Sequence, residues 1–278
     1  MKKKISFSTV ALVLVLLIGL SLLLYPTFSD WWNSRVQSQA VANYSDAVST
    51  MEDEEYTEVW NAAKTHNKSL LARTNPYLLT ETQEAQYPNL LNVAGHGVMG
   101  YVEIPAINQN LPLYHGTDES VLQVAIGHLQ WTSLPTGGPS THCVVSGHRG
   151  LPSARLFTDL DQLEVGDVFM VHVLDELLTY EVDQILIVEP QETEELLIQE
   201  GKDLFTLVTC TPYSVNTHRM LVRGHRVENA EEAVVVRVTA DALQVEPMLV
   251  AVFLVVPFLL ILMSAAILFD KLRNRDNN

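Results

Sequence analysis

Two uncharged apolar stretches bound this chain and leave only the residues between them free to fold around a water-excluded core. Ile5 to Tyr25 is twenty-one residues long and Pro247 to Phe269 is twenty-three. At about 1.5 Å per residue, either stretch crosses the roughly 30 Å hydrocarbon core of a bilayer. Pro257 interrupts the second, which a membrane helix tolerates. Lys2, Lys3 and Lys4 precede the first stretch, while Lys271, Arg273 and Arg275 follow the second. The positive-inside rule then puts both ends in the cytosol and everything between them outside. A cleaved secretory signal is the competing reading of the first stretch, but Pro26-Thr27-Phe28 offers no small-x-small cleavage site and the apolar run is long. The expectation is a cytoplasmic segment 1–4, an uncleaved anchor at 5–25, a second span at 247–269 and a cytoplasmic tail at 270–278.

The formal net charge is −16, and removing the basic flanks at the two ends leaves about −20 on the segment between. Phosphate contacts need basic patches, so this charge argues against nucleic-acid binding. It bears on solubility more than on fold.

Between the anchors the texture changes once. From Ser29 to about Leu71 the sequence is polar and free of glycine, with Trp32, Val36, Ala40, Tyr44 and Ala47 at helical spacing. One or two amphipathic helices follow from that pattern. Glu52-Asp53-Glu54-Glu55 suits the first turn of the second helix, near the positive end of its dipole. From Gly97 onward, short β-rich runs alternate with Gly, Pro and Asn. Val168–Val173 and Leu178–Val188 are predicted as paired antiparallel strands, and Glu119–Gly127 as a short helix. Many short strands favour a closed barrel over an α/β sheet. The expected organisation is a helical region with a lid-like loop at 26–92 and a mainly β barrel domain at 93–240.

The chemistry concentrates at three strand ends. Leu204 to Val208 is an apolar, β-branched run that delivers Cys210 to its end, before a turn through Thr211-Pro212-Tyr213. Val144-Val145-Ser146 leaves His148 just past its tip, and Arg219 opens Met220-Leu221-Val222. A thiol attacks a carbonyl as the thiolate, which nearby positive charge favours. A histidine holds the proton and returns it to a leaving amine near neutral pH. A guanidinium stays charged and offers several N–H groups to a tetrahedral oxyanion. Arg149, Arg223 and Arg226 are alternatives to Arg219 by sequence proximity.

These residues also carry a resemblance. TLVTCTPYSVNTHRMLVRGHR (206–226), HCVVSGHRGLPSARLFTDLDQLEVGD (142–167), GVMGYVEIPAINQNLPLYHGT (97–117) and GHLQWTSLPTGG (127–138) are similar to the class C sortases, the pilin polymerases of Gram-positive bacteria. The resemblance runs from about Tyr44 to about Val227. It implies a closed sortase-type β-barrel in which Cys210 is the nucleophile, His148 the acid/base partner and Arg219 the stabiliser of substrate and oxyanion. It further implies cleavage of an LPXTG-like sorting signal between Thr and Gly, a thioester intermediate, and transfer to a lysine amine of a pilin subunit. A flexible lid carrying Asp-Pro-aromatic is implied before the barrel, and here Asn75-Pro76-Tyr77 stands in its place. An amide cannot form the ion pair an aspartate would make with the catalytic arginine. Such a lid is therefore held more weakly than usual, or Tyr77 leaves the cleft open.

Other candidates are set aside. Cys143 sits within a strand-like run as a small buried side chain, and bonding it to Cys210 would block the nucleophile. His142, Cys143, His148, Cys210 and His218 lack the repeated short spacing of a metal site, so neither metal nor cofactor is expected. His115, His128, His142, His218 and His225 read as surface or satisfied core histidines. Leu134-Pro135-Thr136-Gly137-Gly138 resembles a sorting signal superficially but lacks the residue between Pro and Thr, and reads as a turn. Two other function classes stay open: a cysteine hydrolase with water as acceptor, and an anchored scaffold in which the three residues are incidental.

Overall fold

A computed structural model of the chain describes residues 7–229. The segment 1–4, the second apolar stretch at 247–269, the tail at 270–278 and the expected end of the barrel domain at 240 lie outside the described residues. The described residues fall into two units, residues 7–28 and a folded domain that begins at Ser29. Helix α1 (Phe7–Ser49) contains Pro26. It includes the one helix among the described residues that is long and apolar enough to cross a membrane, with a mean hydropathy of 2.4 in an 18-residue window and none of that window buried.

Within the folded domain, the buried face of α1 differs from the expected one. Trp32 and Val36 are exposed, whereas Gln37, Tyr44 and Val48 are buried. Asn33 Nδ2 donates to the Ser153 carbonyl at 2.7 Å, and Gln37 Nε2 to the Val124 carbonyl at 2.7 Å. The inward stripe thus begins with amides that satisfy loop carbonyls and ends with Tyr44 and Val48. Tyr44 of the expected stripe is buried, whereas at Trp32 and Val36 hydrophobicity pointed one residue away, because loop backbone rather than a core lies beneath those turns. Tyr44 Oη donates to the Met99 carbonyl at 2.9 Å and accepts from the Leu174 N–H at 2.8 Å.

Helix α2 (Asp53–Leu70) starts on Asp53, Glu54 and Glu55 as expected, and buries Ala63, His66, Asn67 and Leu70. Asn67 grips the loop that resembles a sorting signal: its Oδ1 accepts from Leu134 N at 2.7 Å, and its Nδ2 donates to Leu134 O and Thr136 Oγ1. Leu134 is fully buried, so this segment is a structural turn. A short helix, α3 (Glu81–Gln86), opens on a capping box at Thr80 and Gln83.

The barrel has eight strands: β1 (Val98–Ile104), β2 (Gln109–His115), β3 (Ile126–His128), β4 (Thr141–Ser146), β5 (Val168–Val173), β6 (Glu176–Val188), β7 (Asp203–Thr211) and β8 (His218–Val227). They close in the order β1-β2-β3-β4-β7-β8-β6-β5. The β2/β3 and β4/β7 pairs are parallel and the rest antiparallel. The β5/β6 hairpin appears where expected, while the predicted helix 119–127 is only α4 (Glu119–Leu122), because Ile126 to His128 pair with β2 and β4 instead. Phe169, Tyr180 and Phe205 fill the interior with ring centroids 5.4–5.6 Å apart, within the usual range for aromatic pairs. Gly224 leaves room for them, since a Cβ there would lie 2.8 Å from the Phe169 ring.

Tyr44→Phe should lower unfolding stability by about 1–3 kcal/mol, since the buried Leu174 N–H loses its acceptor. Denaturant unfolding checks this, and a change below about 0.5 kcal/mol would contradict the bridging role.

Candidate active site

Side chains alternate across a strand, so the parity of a residue decides whether it faces the barrel interior or its outer surface. On β7, Phe205 and Leu207 belong to the interior core, whereas Val208 packs in a separate cluster with Val144, Leu196 and Leu221. That second cluster is an apolar floor on the outside of the barrel, edged by Leu129, Trp131, Leu186 and Val188. Cys210 shares the parity of Val208. Arg219 shares that of Leu221 and pairs directly with Cys210 in the β7/β8 ladder. Val188 of β6 pairs with Arg219 in turn.

His148 reaches the same face from β4. The parallel β4/β7 ladder ends at Ser146↔Val208. Beyond it, Gly147 N donates to the Val208 carbonyl at 3.1 Å and Thr209 Oγ1 donates to the Gly147 carbonyl at 2.8 Å. Two residues past Ser146, His148 therefore comes level with Cys210, two residues past Val208. Gly147 is needed here, because a Cβ at this position would lie 2.7 Å from the Phe157 ring. The His148 carbonyl accepts from Phe157 N at 3.1 Å, which fixes the loop after the strand. Cys210 and His148 are partly exposed. The Arg219 guanidinium donates through Nη1 to the carbonyls of His218 and Asn216, at 3.0 and 3.2 Å. The three predicted residues thus lie on adjoining strand ends of one rim.

Cys143 has the opposite parity. It is 2% exposed within the interior core, and burial pushes its thiol well above the usual range. Both cysteines are free.

The loop Asn75-Pro76-Tyr77 lies beside the apolar floor. Asn75 Oδ1 accepts from Tyr77 N at 3.0 Å, so the amide shapes its own turn. The Tyr77 ring meets Trp131 edge-on at 5.3 Å. Arg73, which sequence reasoning missed, secures this loop: it donates to the carbonyls of Leu70 and Leu78 at 3.2 Å and of Trp131 at 2.8 Å. A cleft opens between Pro76, Trp131 and the segment Leu196 to Ile198. In the sequence, Trp131 stands within GHLQWTSLPTGG with no signal of a role, and Leu196 ends a single 3-10 turn, Glu194–Leu196, with no periodic signal.

The discounted histidines are mostly satisfied. His128 accepts or donates at both ring nitrogens, to Tyr87 Oη and the Ser133 carbonyl, each at 2.9 Å. His142 bridges the Leu197 carbonyl and Thr206 Oγ1. His115 sets its ring nitrogens 2.9 and 2.7 Å from the carbonyls of Gly97 and Leu90, to one of which a neutral imidazole donates. His66, on α2, is buried with neither nitrogen bonded. Burial, above all, lowers the affinity for a proton to about 3 at His128 and about 4 at His142 and His66. No group of three or more metal-ligating side chains occurs among the described residues.

Comparison with known proteins defines the class. The family described as "Sortase domain" matches residues 102–227. The structure of sortase C1 from Streptococcus agalactiae is 52% identical, with a TM-score of 0.67 over 69% of this chain and 100% of that one. Sortase C from Streptococcus pneumoniae is 46% identical, with a TM-score of 0.63 over 69% of this chain and 97% of that one. Sortase D of Bacillus subtilis is 32% identical over 131 residues, which is 46% of this chain and 63% of that protein. The chain therefore spans just under two thirds of that curated relative. It belongs to the sortase family, with class C sortases as its structural neighbours.

Unfolding stability should fall as pH drops from about 7 towards 4. The three buried histidines stay neutral in the native state while the unfolded chain protonates them near 6.5. The unfolded state then binds more protons, each such group costing up to about 1.4 kcal/mol per pH unit in that window. The raised carboxyl of Asp203 acts in the opposite sense. Chemical denaturation at pH 7 and pH 5 checks the sign, and a higher midpoint at pH 5 would contradict it.

Proposed function

We propose that the chain is a membrane-anchored cysteine transpeptidase that cleaves an LPXTG-like sorting signal between Thr and Gly and transfers it to a lysine amine of a pilin subunit. The observation that carries this reading is the direct pairing of Cys210 with Arg219 at the rim where His148 follows the end of β4, beside an apolar floor. The structure of the Streptococcus pneumoniae relative is described in terms of pilin substrate specificity. That supports pilins as the partner class here.

In this mechanism the Cys210 thiolate attacks the threonine carbonyl carbon. The new C–S bond leaves a negative oxygen, which the Arg219 guanidinium stabilises. Collapse breaks the C–N bond, and His148 gives its proton to the departing glycine amine. The resulting thioester is attacked by a lysine amine, whose proton passes to His148 as the C–S bond breaks and an isopeptide forms. The partly exposed edge of that floor, at Leu129, Trp131, Leu186 and Val188, receives the leucine and proline of the signal, where burial of apolar surface supplies binding.

The exposed apolar start of α1 serves as the anchor, with the catalytic domain outside the cell and the N-terminus in the cytosol. The stretch 247–269 serves as a second anchor, with the C-terminal tail also inside. Asn75, Pro76 and Tyr77 form a lid that rests on Trp131 and not on an ion pair with Arg219.

Incubation with sorting peptides and a lysine-bearing acceptor should give an isopeptide-linked product by mass spectrometry. Cys210→Ala should abolish it, and Arg219→Ala should slow its formation by about 10²–10³-fold. Full turnover in Cys210→Ala would refute the assignment, and release of only hydrolysed peptide would favour a hydrolase. Tyr77→Ala removes an edge-on pair worth about 0.5–1.5 kcal/mol. It should speed alkylation of Cys210 between about twofold and tenfold, and an unchanged rate would argue against a lid held by Tyr77.

A further inference from the structure

Arg149 follows His148 in sequence, yet its side chain ends on the strand that carries Cys210. Nη1 donates to Thr211 Oγ1 at 3.0 Å, and Nη2 bonds Asp161 Oδ2 in an ion pair. The Arg149 side chain is only 10% exposed, while Asp161 is 43% exposed. Its Nε is buried with no partner. Burying a guanidinium with one N–H unsatisfied carries a desolvation cost that the two bonds it does make must offset.

Three chain segments meet at this side chain. The first is the loop after β4, where His148 O accepts from Phe157 N and Gly150 N donates to Thr158 Oγ1, both at 3.1 Å. The second is the segment through Asp161, which follows directly from Thr158. The third is the end of β7, where Thr211 is the residue after Cys210. A second contact joins the same loop to the residues past Cys210: Tyr213 lies so close to Gly150 that a Cβ there would stand 2.8 Å from its ring. The ladder itself stops at Ser146↔Val208, with two further bonds at Gly147. Beyond Gly147, the Arg149 bridge is the polar tie between the two segments that carry His148 and Cys210.

We infer that Arg149 is a positioning residue for transfer, setting the imidazole of His148 against the thiol of Cys210 by clamping Thr211 while Asp161 holds the other prong of its fork. This rests on the assignment of Cys210 and His148 made above. A planar guanidinium suits the task because its N–H groups have fixed relative directions, so two partners on different segments are held at a set spacing. A lysine offers a point charge with no such fork.

The test uses the full-length enzyme and two readouts: steady-state transfer of a sorting peptide, and the alkylation of Cys210 by iodoacetamide as a function of pH, read from the mass of its peptide. Arg149→Ala should lower kcat by about tenfold to a hundredfold, the scale of a small misplacement of reacting groups. KM should change less than about twofold, and the alkylation curve should move towards higher pH as the imidazole withdraws. Thr211→Val keeps the β-branched shape and removes only the acceptor, so it should move both readouts in the same direction. In the double variant the effects should not multiply, because one interaction is removed twice. Arg149→Lys should fail to restore kcat. If Arg149→Ala does not fold, Thr211→Val and Arg149→Lys carry the test. A wild-type kcat and alkylation curve in those variants, or full multiplication in the double variant, overturns the inference. An alkylation curve that ignores His148→Ala would instead overturn the underlying assignment, so the two failures are distinguishable.

Discussion

The parallel pairing of β4 with β7 is the constraint from which the rest of the site follows. Two parallel strands deliver their C-terminal ends to the same rim, so the residues just past each meet there however far apart they are in sequence. Ser146 lies level with Val208, and the next residues on each strand, through His148 and Cys210, emerge together. The antiparallel β8 begins at that same rim, which is why Arg219, near its start, faces Cys210. A one-residue slip in either ladder would turn one of these side chains to the opposite face of the sheet. Close approach of the strands is maintained inside by Gly147 and Gly224, each of which admits an aromatic ring where a Cβ would collide.

The barrel uses its two faces differently. Its interior is sealed by aromatic and aliphatic side chains, and the cysteine that points inward, Cys143, is held as an unreactive thiol by burial. The outer face near the rim carries a smaller apolar cluster whose centre is buried and whose edge, at Leu129, Trp131, Leu186 and Val188, is partly exposed. A partly exposed apolar edge beside charged groups suits recognition of a peptide, since a few oriented polar contacts supply direction while apolar area supplies affinity. The buried histidines at 128 and 142 are paired at both ring nitrogens.

The loop before the barrel is held by its own turn and by neighbouring groups. The Asn75 side chain closes a local turn, and Arg73 and Trp131 anchor the loop. This short-range bond to backbone is an Asx-turn, and the neutral amide adds no charge-assisted bond to a distant cation. The loop therefore lies on the barrel through one arginine, several carbonyl acceptors and an aromatic edge.

Much of this was legible in the residues themselves. The apolar β-branched runs around Val144, Leu207 and Leu221, the 168–173 and 178–188 hairpin, the acidic start of α2 and the strand-end settings of Cys210, His148 and Arg219 are local patterns, and local patterns are what period and turn chemistry report. What stayed hidden depends on groups distant in sequence. The inward turn of α1 at Asn33 and Gln37 answers to loop carbonyls at Ser153 and Val124. Ile126 to His128 form a strand only because β2 and β4 flank them. Arg149 could be noted beside His148, but its reach to Thr211 and Asp161 exists only once β4 and β7 lie parallel. The chain alone determined which residues are the candidates for the chemistry and what kind of strand presents each. The closed barrel decided which face each strand turns to solvent, because a side chain's direction depends on register with a neighbouring strand.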